Sequence, residues 1–336
     1  MPGDIRGRMT VTLGGFGALL LAVMLVAPLA GTARISLARA FDRSQPFADN
    51  VDAQIFFIAR LPRVVGAALV GGSLAAAGVV FQALLRNPLA APETLGVSIG
   101  ASVGAVLAIT LLPDVAIGGI SAVPLASFAG SLGALAVVYA LATARSRGMS
   151  STVLLLGGVV LTSFLGAMIT LIQYLADFSQ TFRTVRWLMG SLDVGSYSAI
   201  GAALVPLAIA AIGYATLPRA LDLLSLGPEA AAARGVDVAR AERVALVSAS
   251  LSTGAAVSLS GPIGFVGIVV PHLVRLIVGA EHRLVLPASA LFGAAFLIAC
   301  DLVARTAFAP LELPVGIVTA MIGGPFFLWL LLRRPR

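Results

Sequence analysis

The chain has 336 residues, of which 59% are hydrophobic and only 11% charged, and its mean hydropathy is +1.03. Soluble domains carry about 25% charged residues, so a soluble globular protein is excluded and a chain held mostly in lipid is indicated. The net charge of +7 comes wholly from arginine, because there is no lysine. The arginines sit at the ends of apolar runs and form no basic face, which speaks against nucleic acid as a partner.

One membrane crossing needs roughly 20 apolar residues, so this length holds about eight to eleven spans. Span 1 is expected at residues 11–31, entering from the cytoplasm behind Arg6 and Arg8. Its apolar run is too long for the core of a cleavable signal peptide. Residues 32–56 are polar and are placed outside. Span 2, residues 58–85, is rich in glycine and alanine, which permits close helix packing in lipid. The Pro88 and Pro92 segment then stops the helix. Span 3 is expected at 93–112, with Gly96, Gly100 and Gly104 at four-residue spacing on one face. Residues 113–120 form an outer turn, and span 4 covers 122–142, followed by Arg145 and Arg147. Span 5 covers 152–175. An outer segment, 177–196, has room for a short helix and carries Arg183, Arg186 and Trp187. Span 6 covers 197–217 and span 7 covers 244–260. Span 8, 265–279, is short and expected to be broken by Pro271. Span 9 covers 285–308, and span 10 covers 314–332, ahead of Arg333, Arg334 and Arg336. The expectation is a single all-α polytopic domain over 1–336, with about ten transmembrane helices and both termini cytoplasmic. On this map fourteen arginines fall on the cytoplasmic side and eight outside, in the sense of the positive-inside rule.

Between spans 6 and 7 lies a polar island, residues 218–243, carrying Arg219, Arg234, Arg240 and Arg243. Two short helices are expected there. The first covers 219–225 and stops at Gly227, a permissive C-cap. The second begins at Pro228, a favoured first helical position, with Glu229 suiting the helix dipole, and ends at Gly235. Such an island reads either as a docking knob for a soluble partner or as an ordinary amphipathic loop.

Several chemistries are absent. Without lysine there is no phosphate-binding GxxxxGK[ST] loop. His272 and His282 make no metal-binding pattern, and the single Cys300 supports neither a disulfide nor a cysteine metal site. No enzyme is expected. Intramembrane charge is costly and often functional. Asp301 and Arg305 stand four apart and pair along one helix face. Arg275 is expected to snorkel to the interface, and His272 to bond into the backbone freed by Pro271. Asp301 keeps an ion-coupled secondary transporter open as the alternative reading.

Six stretches then resemble the FecCD-type permeases, the membrane subunits of bacterial ABC importers for iron–siderophore complexes, haem and vitamin B12. They are 60–63 (RLPR), 82–98 (QALLRNPLAAPETLGVS), 187–192 (WLMGSL), 224–227 (LSLG) with Gly235 and Val236, 261–275 (GPIGFVGIVVPHLVR), and 312–319 (ELPVGIVT) with 323–326 (GGPF). The resemblance covers about residues 55–332. It implies import from periplasm to cytoplasm by alternating access, in the bacterial inner membrane. It also implies a homodimer of this chain with two cytoplasmic ABC ATPase subunits and a periplasmic binding protein. ATP and Mg belong to the ATPase, and no cofactor is expected here.

Residues 229–235 (EAAAARG) match the pattern by which importer permeases dock on their ATPase. The resemblance thus assigns ATPase coupling to Ser225, Leu226, Gly227, Glu229, Ala230, Ala231 and Gly235. It assigns binding-protein docking to Arg60, Arg63 and Arg305, against the alternatives of interfacial anchoring for the first two and the Asp301 pair for the third. A cytoplasmic gate is implied at Asn87, Leu89, Ser151 and Thr152, the last two being equally simple N-caps. Arg183 and Arg186 are a possible substrate entrance for an anionic chelate, or else meet lipid phosphate or a partner.

Overall fold

The computed structural model describes residues 5–42, 44–144, 150–193 and 196–332. Arg43, Arg145, Arg147, Arg333, Arg334 and Arg336, counted above for orientation, lie outside these residues, as do the side chains of Arg6 and Ser151. The described chain is mostly helical. Helix α1 (Ile5–Val26) passes through a tight turn at Ala27–Leu29 into a segment holding two single-turn helices, α2 (Leu37–Ala40) and α3 (Val51–Gln54). The Asn50 side chain caps α3 by accepting from the Ala53 amide. A wide helical turn, Ile55–Arg60, leads without a break into α4 (Leu61–Leu84). Then follow α5 (Val97–Leu111), a two-residue hairpin pairing Ala116–Ile117 with Ile120–Ser121, α6 (Ala122–Thr143) and α7 (Ser151–Leu175). The hairpin turns on Gly118 and Gly119, both at positive φ. The short α8 (Phe178–Leu188) starts from a reciprocal capping box between Asp177 and Gln180. Next come α9 (Tyr197–Thr216), α10 (Pro218–Leu224), α11 (Pro228–Ala232), α12 (Val238–Ser260), α13 (Val266–Val278), α14 (His282–Thr306) and α15 (Val315–Leu332).

Seven helices among the described residues are long and apolar enough to cross a membrane, and three shorter apolar helices, α5, α13 and α15, accompany them. α4 lies at the centre, packed on α14, α12 and α13. α5 packs on α6, α9 on α12, and α1 on α14, while α7 flanks α5 and α6. The close approaches rest on glycine. A Cβ on Gly78 would lie 2.0 Å from the Gly267 carbonyl oxygen of α13, and one on Gly71 would lie 2.2 Å from that of Gly293 in α14. Small residues let backbones meet where no hydrophobic force separates helix from lipid.

Two expectations change. α5 begins at Val97, because Gly96, at φ +78°, ends a tight turn over Pro92–Leu95. Gly96 therefore serves as a left-handed junction, and only Gly100 and Gly104 form the face that meets Gly130 and Ala126 of α6. α13 is not broken by Pro271: it runs on through it, for a reason found in α4.

Candidate functional site

The island is a folded module. Pro218 and Pro228 stand at the first positions of α10 and α11. Gly227 and Gly235 turn the chain at φ +115° and +80°. The Val236 amide reaches back to the Ala231 carbonyl at 3.1 Å, and that of Gly235 to Ala232 at 2.9 Å, satisfying carbonyls left over at the end of α11. Leu224, Ala231 and Ala241 are buried together, with Leu223, Val236 and Val238 packed around them. This small core fixes α11 against the start of α12. The residues of the predicted coupling set divide accordingly. Ala231 is buried, Gly227 and Ala230 are half-buried, and Ser225, Leu226, Glu229 and Gly235 are exposed. Leu226 is 65% exposed although it sits on a polar island, a large apolar group offered outward at the tip of the turn.

The island is also tied inward, through a contact the sequence reading did not include. The Asp222 Oδ1 atom of α10 accepts from the His282 backbone amide at 3.0 Å and pairs with His282 Nδ1 at 2.6 Å. Partial burial pushes the Asp222 carboxyl up, but the two bonds from His282, with Arg283 nearby, outweigh it and hold it below the usual carboxylate range. Asp222 thus caps the first turn of α14, where a carboxylate suits the helix dipole.

At the far end of α14, the structure brings Arg60, Arg63 and Arg305 together around one carboxylate. Asp301 is wholly buried. Its Oδ1 accepts from Arg63 Nε at 2.9 Å, and its Oδ2 lies 3.0 Å from Arg305 Nε, a charge contact without an aligned hydrogen bond. Arg63 also reaches Glu312 Oε2 at 2.6 Å. The guanidinium of Arg305 donates to the Ala27 and Ala30 carbonyls, and that of Arg60 to Pro28 and Ala33. The sequence reading placed all three arginines at an accessible surface. Arg60 and Arg305 are instead only 5% and 3% exposed, because the turn after α1 supplies carbonyls that take up their donors. The Arg305–Asp301 pair raised as the alternative is present. Of this group, the Glu312 side chain is the accessible one, at 44%, against 15% for Arg63.

At the island end of α4, the freed backbone of α13 is satisfied. Pro271 has no amide to give the Gly267 carbonyl four residues earlier. Gln82 Nε2 donates to that carbonyl at 3.0 Å, and Gln82 Oε1 accepts from Arg275. Gln82 therefore satisfies the carbonyl freed by Pro271, and Arg275, expected to snorkel, is half-buried and bound to Gln82. Directly after α4 the chain turns at Arg86, at φ +50°, and Asn87 Oδ1 accepts from the Leu89 amide at 2.9 Å, shaping the turn from within. Pro88 and Leu89 line a small cavity with Ile268, Val269, His272 and Phe326. Thr152, exposed at the start of α7, is not among its lining residues, and the Ser151 side chain lies outside the described residues.

On α8, Arg183 and Arg186 are exposed, beside an exposed stripe of Phe178, Phe182, Val185 and Met189 at helical spacing. Arg186 lies 3.8 Å from Asp193. No group of three or more potential metal ligands occurs among the described residues.

Comparison with known proteins follows the same lines. The profile of the FecCD transport family matches residues 19–333. The chain is 41% identical over 309 residues to the uncharacterized ABC transporter permease protein YvrB of Bacillus subtilis, covering 92% of this chain and 87% of that one. It is 48% identical over 273 residues to the cobalamin import system permease protein BtuC of Halobacterium salinarum, covering 81% and 72%. It is 40% identical over 281 residues to the hemin transport system permease protein HmuU of Yersinia pestis, covering 82% of each. Among solved structures, one described as an inward-facing conformation of a candidate metal-chelate type ABC transporter superposes with a TM-score of 0.81 at 35% identity, covering 96% of this chain and 99% of that chain. The chain belongs to the FecCD transport family.

Proposed function

We propose that this chain is the membrane-spanning permease of an ATP-driven importer that carries a metal chelate, an iron–siderophore, haem or cobalamin, from periplasm to cytoplasm. Two copies enclose the pathway in the inner membrane, and two ATPase subunits bind the island. The seven long and three shorter apolar helices are then ten spans, with both termini cytoplasmic. ATP and Mg are held by the ATPase. The observation that carries this reading is the folded island itself: an outward Leu226 and Glu229 on a module whose other face is buried. A loop that merely connected two spans would need neither the small core nor the Asp222 cap.

The turn at Asn87 and Leu89, with Ser151 and Thr152, is assigned to the cytoplasmic gate. The Asp301 junction is assigned to the face that meets the binding protein, with Glu312 and Arg63 presenting charge and Arg60 and Arg305 supporting them from beneath. Arg183 and Arg186 on α8 are assigned to the substrate entrance. The alternative, an ion-coupled carrier, rested on Asp301. That carboxylate lies between two guanidiniums and is neutralised in place, a poor arrangement for a site that must load and release a cation.

The test is a mild-detergent pull-down of the tagged chain from its native membrane, with the eluate assayed for ATP hydrolysis. Wild type is expected to bring down an ATPase. Leu226→Asp combined with Glu229→Arg is expected to lose it, while the permease still reaches the membrane. An ATPase recovered undiminished with the double variant would show that docking lies elsewhere.

A further inference from the structure

α14 has its charged side-chain contacts at its two ends. At its start, Asp222 of α10 holds both the backbone and the ring of His282, which is 5% exposed. At its other end, Asp301 and Arg305 bind Arg63 of α4 and the carbonyls of Ala27 and Ala30 after α1. The whole helix, both ends included, is 25 residues, about 37 Å at 1.5 Å per residue. Over that length α14 is seated on α4 through reciprocal glycines: a Cβ on Gly293 would lie 2.5 Å from the Gly71 oxygen, and one on Gly72 would lie 3.0 Å from the Ala290 oxygen. Backbones that close leave no room for sliding without separation. α10 itself packs on α14, α4 and α12. The described residues of α11 pack chiefly on α10 and α12, and Asp222 of α10 is a charged link from the island to α14.

We infer that Asp222 and His282 are positioning residues of the coupling step, joining the island to a rigid α4–α14 strut that carries displacement of the island to the Asp301–Arg63–Glu312 junction at the opposite face. Coupling between distant sites is carried by chains of packed and bonded elements, and such a chain runs here from Asp222 through His282 and the α4–α14 contact to Asp301. Coupling of binding equilibria is reciprocal: if closure of the ATPase changes the junction's affinity for a partner, that partner shifts the closure by the same factor. The inference rests on the importer reading.

The experiment uses the assembled transporter, purified with its ATPase and placed in proteoliposomes, and reads uptake of the binding-protein-delivered chelate per ATP hydrolysed. Asp222→Ala removes both bonds to His282, and uptake per ATP is expected to fall about tenfold, within the range of ordinary coupling energies. Stimulation of hydrolysis by the binding protein is expected to fall with it. Asp222→Asn keeps an oxygen that accepts both bonds and is expected to retain most of the wild-type ratio. A role confined to folding would lower the yield of transporter and leave the ratio alone. His282→Ala, which spares the backbone bond, serves as the second variant where Asp222→Ala does not accumulate, with a loss of about threefold expected. A wild-type ratio in Asp222→Ala, or in His282→Ala where that is the one measured, overturns the inference, as does loss of the ATPase from either variant with the ratio unchanged in what remains. Failure of the wild-type chain to bring down any ATPase would instead overturn the importer reading on which the inference stands.

Discussion

Gln82 illustrates how one side chain permits a proline inside a membrane helix. A buried carbonyl without a partner costs several kcal/mol in an apolar medium, and lipid offers no water to relieve it. Gln82 supplies the missing donor to Gly267 and, with its own oxygen, occupies Arg275. Gln82→Leu, which keeps the approximate volume, strands both groups and is expected to lower stability by about 1–3 kcal/mol. Thermal unfolding of the detergent-solubilised variant measures this, and Gln82→Glu, which retains an acceptor for Arg275 but not the donor, should fall between. Neither Gln82 nor Asp222 was assigned a partner from sequence, since each partner lies far along the chain: 185 residues from Gln82 to Gly267 and 60 from Asp222 to His282. A signal did exist for Asp222, the lone carboxylate within an otherwise apolar turn, residues 220–224. The pair Asp301–Arg305 was legible because it is local, four residues along one helix.

Helices were legible where apolar length and polar flanks coincide. α6, α7, α9 and α12 end within a few residues of their sequence-derived bounds or, as in α12, continue into the polar island, because Asp237 rather than the membrane surface sets the start. The short elements were harder. Gly96 carries a helical face by spacing but a left-handed junction by φ, and periodicity cannot separate the two. Proline in α13 was read as a break because its compensation comes from another helix. The glycine content of α4 was read as permitting close helix packing, and the distances make that quantitative. At Gly78 even a methyl group would meet backbone at 2.0 Å, so α4 and α13 must separate to admit it. Gly78→Val is expected to cost at least the 1–3 kcal/mol typical of overpacking, and to reduce the amount of folded protein in the membrane. The comparison position is Gly133, where a Cβ would meet nothing within 4 Å and Gly133→Ala is expected to be neutral.

As a whole, the molecule is a central α4–α12–α14 core with its faces covered unequally. α1 and α7 expose long apolar sides, and α8 and α15 expose several large apolar residues. Such surfaces suit the lipid and the second copy that the importer reading gives this chain. The island at one end and the charged junction at the other both depart from an apolar bundle, and the importer reading gives each a partner. The measurement that tests this most directly is uptake into proteoliposomes holding this chain, its co-purified ATPase and the binding protein, with a radiolabelled chelate outside and the nucleotide varied inside. Uptake that needs ATP and stops with a non-hydrolysable analogue, whatever the proton or sodium gradient, is the predicted result. Uptake driven by an ion gradient without ATP, and lost in Asp301→Asn, would contradict it.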